Sequence, residues 1–190
     1  FSSGRDGSAR NLYWVAADGS GAPERLTTTD HDQAPNSFTP HGTQLLLKTR
    51  YAGDDSESLT LGSKQIRAVV QGPPPERNAE VSPDGRWLAY ESWEVSPSQI
   101  YVRPFPAVDG GRWQIGSAGN KPVWAPDSQS LFFLGGNSIM GASIQTTPSF
   151  RSTNPVKFID YRQLPFAADG RSYDVSRDGK RFVFRRARHS

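Results

Sequence analysis

The stretch VSPDGRWLAY, Val81 to Tyr90, sets a proline–acid–glycine turn between two apolar runs. Pro83 presets φ at the first corner, and Gly85 supplies the left-handed position that closes a type I turn with a bulge. The run that follows, Trp87-Leu88-Ala89-Tyr90, does not alternate apolar with polar residues. A strand buried on one face alternates, so this one is expected to lie between two layers.

Three other stretches share this grammar: FTPHGTQLLL from Phe38, WAPDSQSLFFL from Trp124 and VSRDGKRFVF from Val175. The positions matching Pro83 are Pro40, Pro126 and Arg177, at successive steps of 43, 43 and 51 residues. Each turn is followed by a run apolar on both faces: Leu45–Leu47, Leu131–Leu134 and Phe182–Phe184 beside Trp87–Tyr90. A third strand is expected at Leu12–Val15, Ser58–Leu61, Gln99–Arg103 and Ile139–Ile144. A fourth, more polar strand is expected at Glu24–Thr27, Ile66–Val70, Arg112–Ile115 and Val156–Tyr161.

Four strands per unit of about forty residues, doubly buried within, describe the blades of an all-β propeller. The units fall near 1–30, 31–73, 74–118, 119–165 and 166–190 of a single domain. A β-sandwich is the competing architecture. The chain opens near the end of a second strand and closes after strands one and two. The termini are therefore expected either to share one composite blade, giving about four blades, or to belong to a larger ring.

The composition agrees. The 190 residues carry 18 Gly, 15 Pro and 11% aromatics, which suits many short strands and turns. Without Cys there is no disulfide, thiol nucleophile or thiolate metal site. No apolar run reaches membrane-spanning length, so no membrane insertion is expected. The opening FSSGRDGS lacks the regions of a signal peptide and reads as the start of an excised domain or a processed chain. The net charge of +3 gathers in residues 171–190, where seven Lys/Arg face two Asp. A basic tail without interleaved stacking aromatics points away from nucleic acid.

The run SPDGRWLAY, with QIYVRPFP, GGRWQI, KPVWAPDSQSLFFL and YDVSRDGKRFVF after it, resembles the WD-like, TolB-type β-propeller repeats of bacteria. Within that group it is most similar to the C-terminal propeller of bacterial serine/threonine kinases, over nearly the whole chain. The departures are His41 for Asp and Thr43-Gln44 for Arg-Trp in one copy, and Arg177 for Pro in another. The resemblance implies a bacterial binding or sensor module, periplasmic or otherwise extracytoplasmic. It leaves chemistry open, since one fold hosts many functions and similar repeats also gate oligopeptidases or form lyases.

The chain has three histidines, His31, His41 and His189, and neither G-x-S-x-G nor S-x-x-K. H-E-x-x-H, the EF-hand loop and the phosphate-binding loop are missing too. No cofactor or metal is expected. In a propeller the Pro-Asp-Gly turns lie on one face, and the loops after strands two and four collect on the other. That loop face gathers residues 29–32, 51–57, 72–77, 93–98 and 120–121.

Its candidate ligand-binding residues are His31, Asp32, Asp54, Asp55, Trp93, Arg103 and Lys121. Each has a plainer reading. Asp30 and Asp32 suit turn hydrogen bonds, and Asp54, Asp55 and Glu57 suit a solvated loop. His31 beside these acids could serve as a base or metal ligand. Trp93 suits packing on a blade edge, and Trp14, Trp87, Trp113 and Trp124 the inter-blade core. Arg103 is expected towards the central channel beside a carboxylate. Pro73–Pro75 form a stiff connector.

The leading expectation is a non-catalytic module that binds a protein, peptide or small ligand on its loop face. The alternative is a propeller hydrolase or lyase with a channel-mouth site built on His31 and nearby carboxylates. Terminal strands offer a further expectation, pairing between copies of the chain.

Overall fold

The computed structural model describes residues 1–7, 9–50, 54–70, 72–160 and 171–184. Its strands form five successive antiparallel sheets. Blade 1 holds β1 (Ser2–Ser3), β2 (Asn11–Trp14) and β3 (Glu24–Arg25). Blade 2 holds β4 (Gln33–Phe38), β5 (Gln44–Arg50), β6 (Asp54–Thr60) and β7 (Gln65–Val70). Blade 3 holds β8 (Glu76–Val81), β9 (Trp87–Ser92), β10 (Gln99–Pro104) and β11 (Trp113–Ile115). Blade 4 holds β12 (Asn120–Trp124), β13 (Ser130–Gly135), β14 (Ser138–Gln145), β15 (Arg151–Ser152) and β16 (Val156–Asp160). Blade 5 holds β17 (Tyr173–Val175) and β18 (Phe182–Phe184). Each sheet is a meander in sequence order, with β15 and β16 sharing the outer edge of β14.

The four turns are one structure repeated. Gly42, Gly85, Ser128 and Gly179 take φ of 66°, 74°, 58° and 69°. Each donates its N–H to the carbonyl three residues back, at 2.8–3.0 Å. Ser82 Oγ accepts from Trp87 N at 3.0 Å, and Asp84 Oδ1 accepts from Arg86 N at 3.1 Å. Ser176 and Asp178 repeat both bonds to Arg181 N and Lys180 N. The Ser-x-Asp-Gly sequence is thus a self-bonded corner, and Arg177 replaces Pro without altering it.

The doubly apolar strands of blades 2 to 4 fill the spaces between blades, whereas β18, expected to be buried on both sides, leaves Val183 64% exposed because the described residues place no further blade against it. In β5, Leu45 and Leu47 pack with Leu12 and Leu26 of blade 1, while Leu46 turns to Ala79, Leu88 and Tyr90 of blade 3. Ala89, Val102 and Ile115 of blade 3 meet Trp124, Leu131 and Phe133 of blade 4. Phe132, Leu134 and Ile139 of blade 4 meet Tyr173 of blade 5. Four cores thus lie in the gaps between five sheets, the arrangement of a propeller and not of a sandwich with one shared core.

Of the two arrangements expected for the termini, the described residues show no shared sheet: β1 occupies the second-strand place beside β2, β17–β18 stand as a separate pair, and the blades form an open arc, as a piece of a larger ring would. Three other expectations need correction. The third strand of blade 2 starts at Asp54 rather than Ser58, because Asp54 and Glu57, expected in a solvated loop, are buried and find partners. Trp14 is 41% exposed and donates to Glu24 at 2.8 Å, outside any core. Arg103 lies on β10, the third strand of its blade, and not on the axis. Tyr161, Tyr51 and His189 lie outside the described residues.

Candidate functional site

Hydrogen bonds across neighbouring connections assemble the loop face. Arg10 N donates to Asp32 Oδ1 at 2.8 Å, and Trp93 N donates to Pro75 O at 3.0 Å. Ser98 Oγ donates to Gly119 O at 2.9 Å. The loops after strands two and four therefore meet on one side, as expected.

The predicted site residues divide into bonded and presented groups. Asp32 serves as the turn acceptor for Arg10, and His31 is exposed beside it. Asp54 is buried, with Arg77 Nε 2.5 Å from its carboxylate and Lys48 and Arg50 at 4.0 and 3.9 Å. Asp55 is half-buried, and burial, followed by the Asp54 charge, pushes its carboxyl up. Arg103 donates to Tyr90 Oη at 2.9 Å and to Val108 O at 3.1 Å, a clamp inside blade 3. Among the described residues no group of three or more His, Asp or Glu side chains is arranged to hold a metal ion.

Trp93 is presented. It is 42% exposed, and Val95 beside it 47%. Its indole N–H donates to Glu91 Oε1 at 2.5 Å, and the Arg77 guanidinium lies 5.7 Å from its ring centre. With the backbone bond to Pro75, three contacts fix an aromatic ring that water still reaches.

Lys121 occupies a feature the sequence gave no warning of. The innermost strands β4, β8 and β12 lose register after their third, second and first residues, at Asn36-Ser37, Asn78-Ala79 and Lys121-Pro122. Asn78 and Lys121 sit there at φ of 53° and 52°. Such bulges re-aim side chains. Here they line a cavity of about 20 Å³ with Asn36, Asn78, Lys121, Glu80, Arg171 and Ser172, room for about one water. Lys121 Nζ donates to Ser172 Oγ at 2.7 Å, and Glu80 is ion-paired with Arg171. Glu91 joins this axis to the loop face, accepting from Asn78 Nδ2 at 2.7 Å and Lys121 N at 3.3 Å as well as from Trp93.

Glu80, Glu91 and Arg171 were missed as candidates. Their signal was a lone charge within an apolar strand or beside one, in NAEVS, LAYES and GRSYD. On the turn face, a wider polar cleft of about 340 Å³ lies between blades 3 and 4. Its Asp84 and Arg86 are paired with each other at 2.8 Å.

No family model matches the chain, and no curated protein matches it in sequence. Solved structures do match in fold. A protein assigned as TolB from Agrobacterium tumefaciens superposes with a TM-score of 0.68 at 15% identity, over 98% of this chain and 70% of that one. A chain of the nidogen/laminin complex gives 0.58 at 14%, over 80% of this chain and 58% of that one. An oligogalacturonate lyase from Vibrio parahaemolyticus gives 0.52 at 16%, over 70% and 43%. The class is therefore a β-propeller of TolB-like fold. At such identities the likeness carries the fold and nothing finer.

Proposed function

We propose that this chain is a protein-binding propeller module that takes a peptide segment on its loop face, with Trp93 as the anchor. The observation that carries the reading is an exposed indole already fixed by Glu91, Arg77 and the Pro75 carbonyl. A rigid aromatic anchor loses little entropy on binding and contributes far more than its share of interface energy. Exposed Val95 extends the apolar contact, and Glu94 and Arg112, paired at 2.7 Å, form a polar rim. That a chain of similar fold was solved in the nidogen/laminin complex supports a protein-docking reading. The finer expectation, an extracytoplasmic sensor like those attached to bacterial serine/threonine kinases, rests on the sequence resemblance alone.

Panning a displayed peptide library against the purified chain tests the reading. Related sequences should be enriched, and their binding should weaken about 30-fold or more in Trp93→Ala, the 2 kcal/mol scale of an anchor residue. Trp14→Ala, on a distant blade edge, should leave binding unchanged. Equal binding by wild type and Trp93→Ala would sink the proposal.

A further inference from the structure

Glu76 sits at the knot that positions Trp93. It opens β8 in register with Ser92, the residue before Trp93. Trp93 N donates to the carbonyl of Pro75 at 3.0 Å, and Ser56 Oγ of blade 2 donates to the carbonyl of Glu76, also at 3.0 Å. The next residue, Arg77, holds both the Trp93 ring and the Asp54 carboxylate. One short segment thus ties blade 2, blade 3 and the exposed indole together.

The Glu76 side chain does not share in this bonding. The residue is 4% exposed, and its Oε2 is buried without a hydrogen-bond partner. Other acids in the seam have partners: Asp54 is ion-paired with Arg77, Glu57 accepts from Thr49, and Glu91 accepts from Trp93 and Asn78.

The charged groups that act on Glu76 are Asp55 on β6, Arg103 on β10, Glu94 after β9, and Arg112 leading into β11. Both cations are held elsewhere, Arg103 by Tyr90 and Val108, Arg112 by Glu94 and the ring of Tyr101. Tyr90 on β9, whose phenol also feels Glu76, is itself pushed up by burial. Burial lifts the Glu76 carboxyl from 4.5 to about 7, with Arg103 and Arg112 opposing and Asp55 and Glu94 adding to the rise.

We infer that Glu76 is a proton-operated latch on the Trp93 face: its neutral carboxyl seals the seam between blades 2 and 3, and its ionisation opens that seam and frees the Trp93 loop. A buried carboxyl without a partner is tolerated when neutral and strongly disfavoured when charged. The open seam gives it water, so opening becomes easier as pH rises from 4.5 through about 7 and levels off above. Linkage over that interval gives about a tenfold rise in the opening constant between about pH 6 and pH 8.

The test is amide exchange at Trp93, whose N–H bonds Pro75 O at the end of the β8–β9 ladder beside the seam, followed by NMR and corrected for base catalysis. Wild type should show the tenfold rise, and Glu76→Gln should show none. A flat wild-type profile, or the same rise in Glu76→Gln, would overturn the latch. If Glu76→Gln does not fold, carbon-13 titration of the wild-type Glu76 carboxyl decides: a midpoint near 7 supports the inference and one near 4.5 ends it. Neither readout uses a ligand, so failure of the latch is distinct from failure of the binding proposal.

Discussion

Replacing Arg171 by Met removes the cation that joins blade 5 to blade 3. The Glu80 side chain is only 13% exposed and holds three blades together: its carboxylate pairs with Arg171, and its Oε1 accepts Trp124 N of blade 4 at 3.3 Å. Trp124 Nε1 donates to its carbonyl at 3.2 Å. Without Arg171 the carboxylate keeps one long hydrogen bond in a mostly dry site. Breaking a buried pair from one side costs about 3–5 kcal/mol. The Arg171 side chain is 36% exposed, so solvent screening places the expected loss near the lower end, about 3 kcal/mol.

Glu80→Gln should cost only about 1 kcal/mol, because the amide oxygen can still accept from Trp124 and Arg171 keeps Asp174 at 3.0 Å. Combined with Arg171→Met it should recover most of the loss, since no unpaired buried charge remains.

The pH dependence has a definite sign. Burial raises the Glu80 carboxyl and Arg171 restrains it, so losing Arg171 raises it further. The cost of Arg171→Met should then be small while Glu80 is protonated in both proteins and grow as pH rises above the raised wild-type value. Urea unfolding of the single and double variants at about pH 5 and pH 8 measures all of this. A loss below about 1 kcal/mol, equal at both pH values, would refute the claim that this pair is a buried tie between blades.

Two further perturbations test the packing and the turn. Gly119→Ala would place a Cβ 2.5 Å from the Phe133 ring and 3.1 Å from Ile100, both fully buried. It should cost about 1–3 kcal/mol by overpacking, read as a lower urea midpoint, and no loss would show that this seam has slack. Asp84→Ala removes the acceptor of Ser82, Arg86 N and the Arg86 guanidinium, which together outweigh burial and hold its carboxyl below the ordinary 3.8. A depressed carboxylate stabilises above its unfolded value and loses that contribution as pH falls. Wild type and Asp84→Ala should therefore converge in stability as pH falls below the depressed carboxyl value and separate by about 1 kcal/mol at neutral pH.

The blades were legible in VSPDGRWLAY and its copies because turn chemistry and strand pattern are local. Pro or Arg, Asp and Gly close the corner from residues within six positions, and Leu45-Leu46-Leu47 declares burial on both sides by its lack of alternation. The third strand of blade 2 was misplaced for the opposite reason. DDSE looks solvated until Arg77, some twenty residues on, arrives beside Asp54. Trp14 was misassigned because aromatic content says nothing about whether another sheet stands against it.

The site divides along the same line. Sequence named Trp93, Asp54 and Lys121 from expected loop positions, of which only Trp93 lies in a loop, and its plainer reading of Asp32 as a turn acceptor agrees with the bond to Arg10. It could not find Glu76, Glu80 or Glu91, whose roles depend on what neighbouring blades do and do not offer them. By itself the sequence determined the repeat, the four-strand plan of blades 2 and 3 and the double burial of β5, β9 and β13, all consequences of residues close in the chain. Tertiary structure alone decided that the described blades form an open arc, that the inner strands bulge at the axis, and which acids are left without a cation. Those outcomes depend on contacts between residues some twenty to ninety positions apart, where no local pattern reaches.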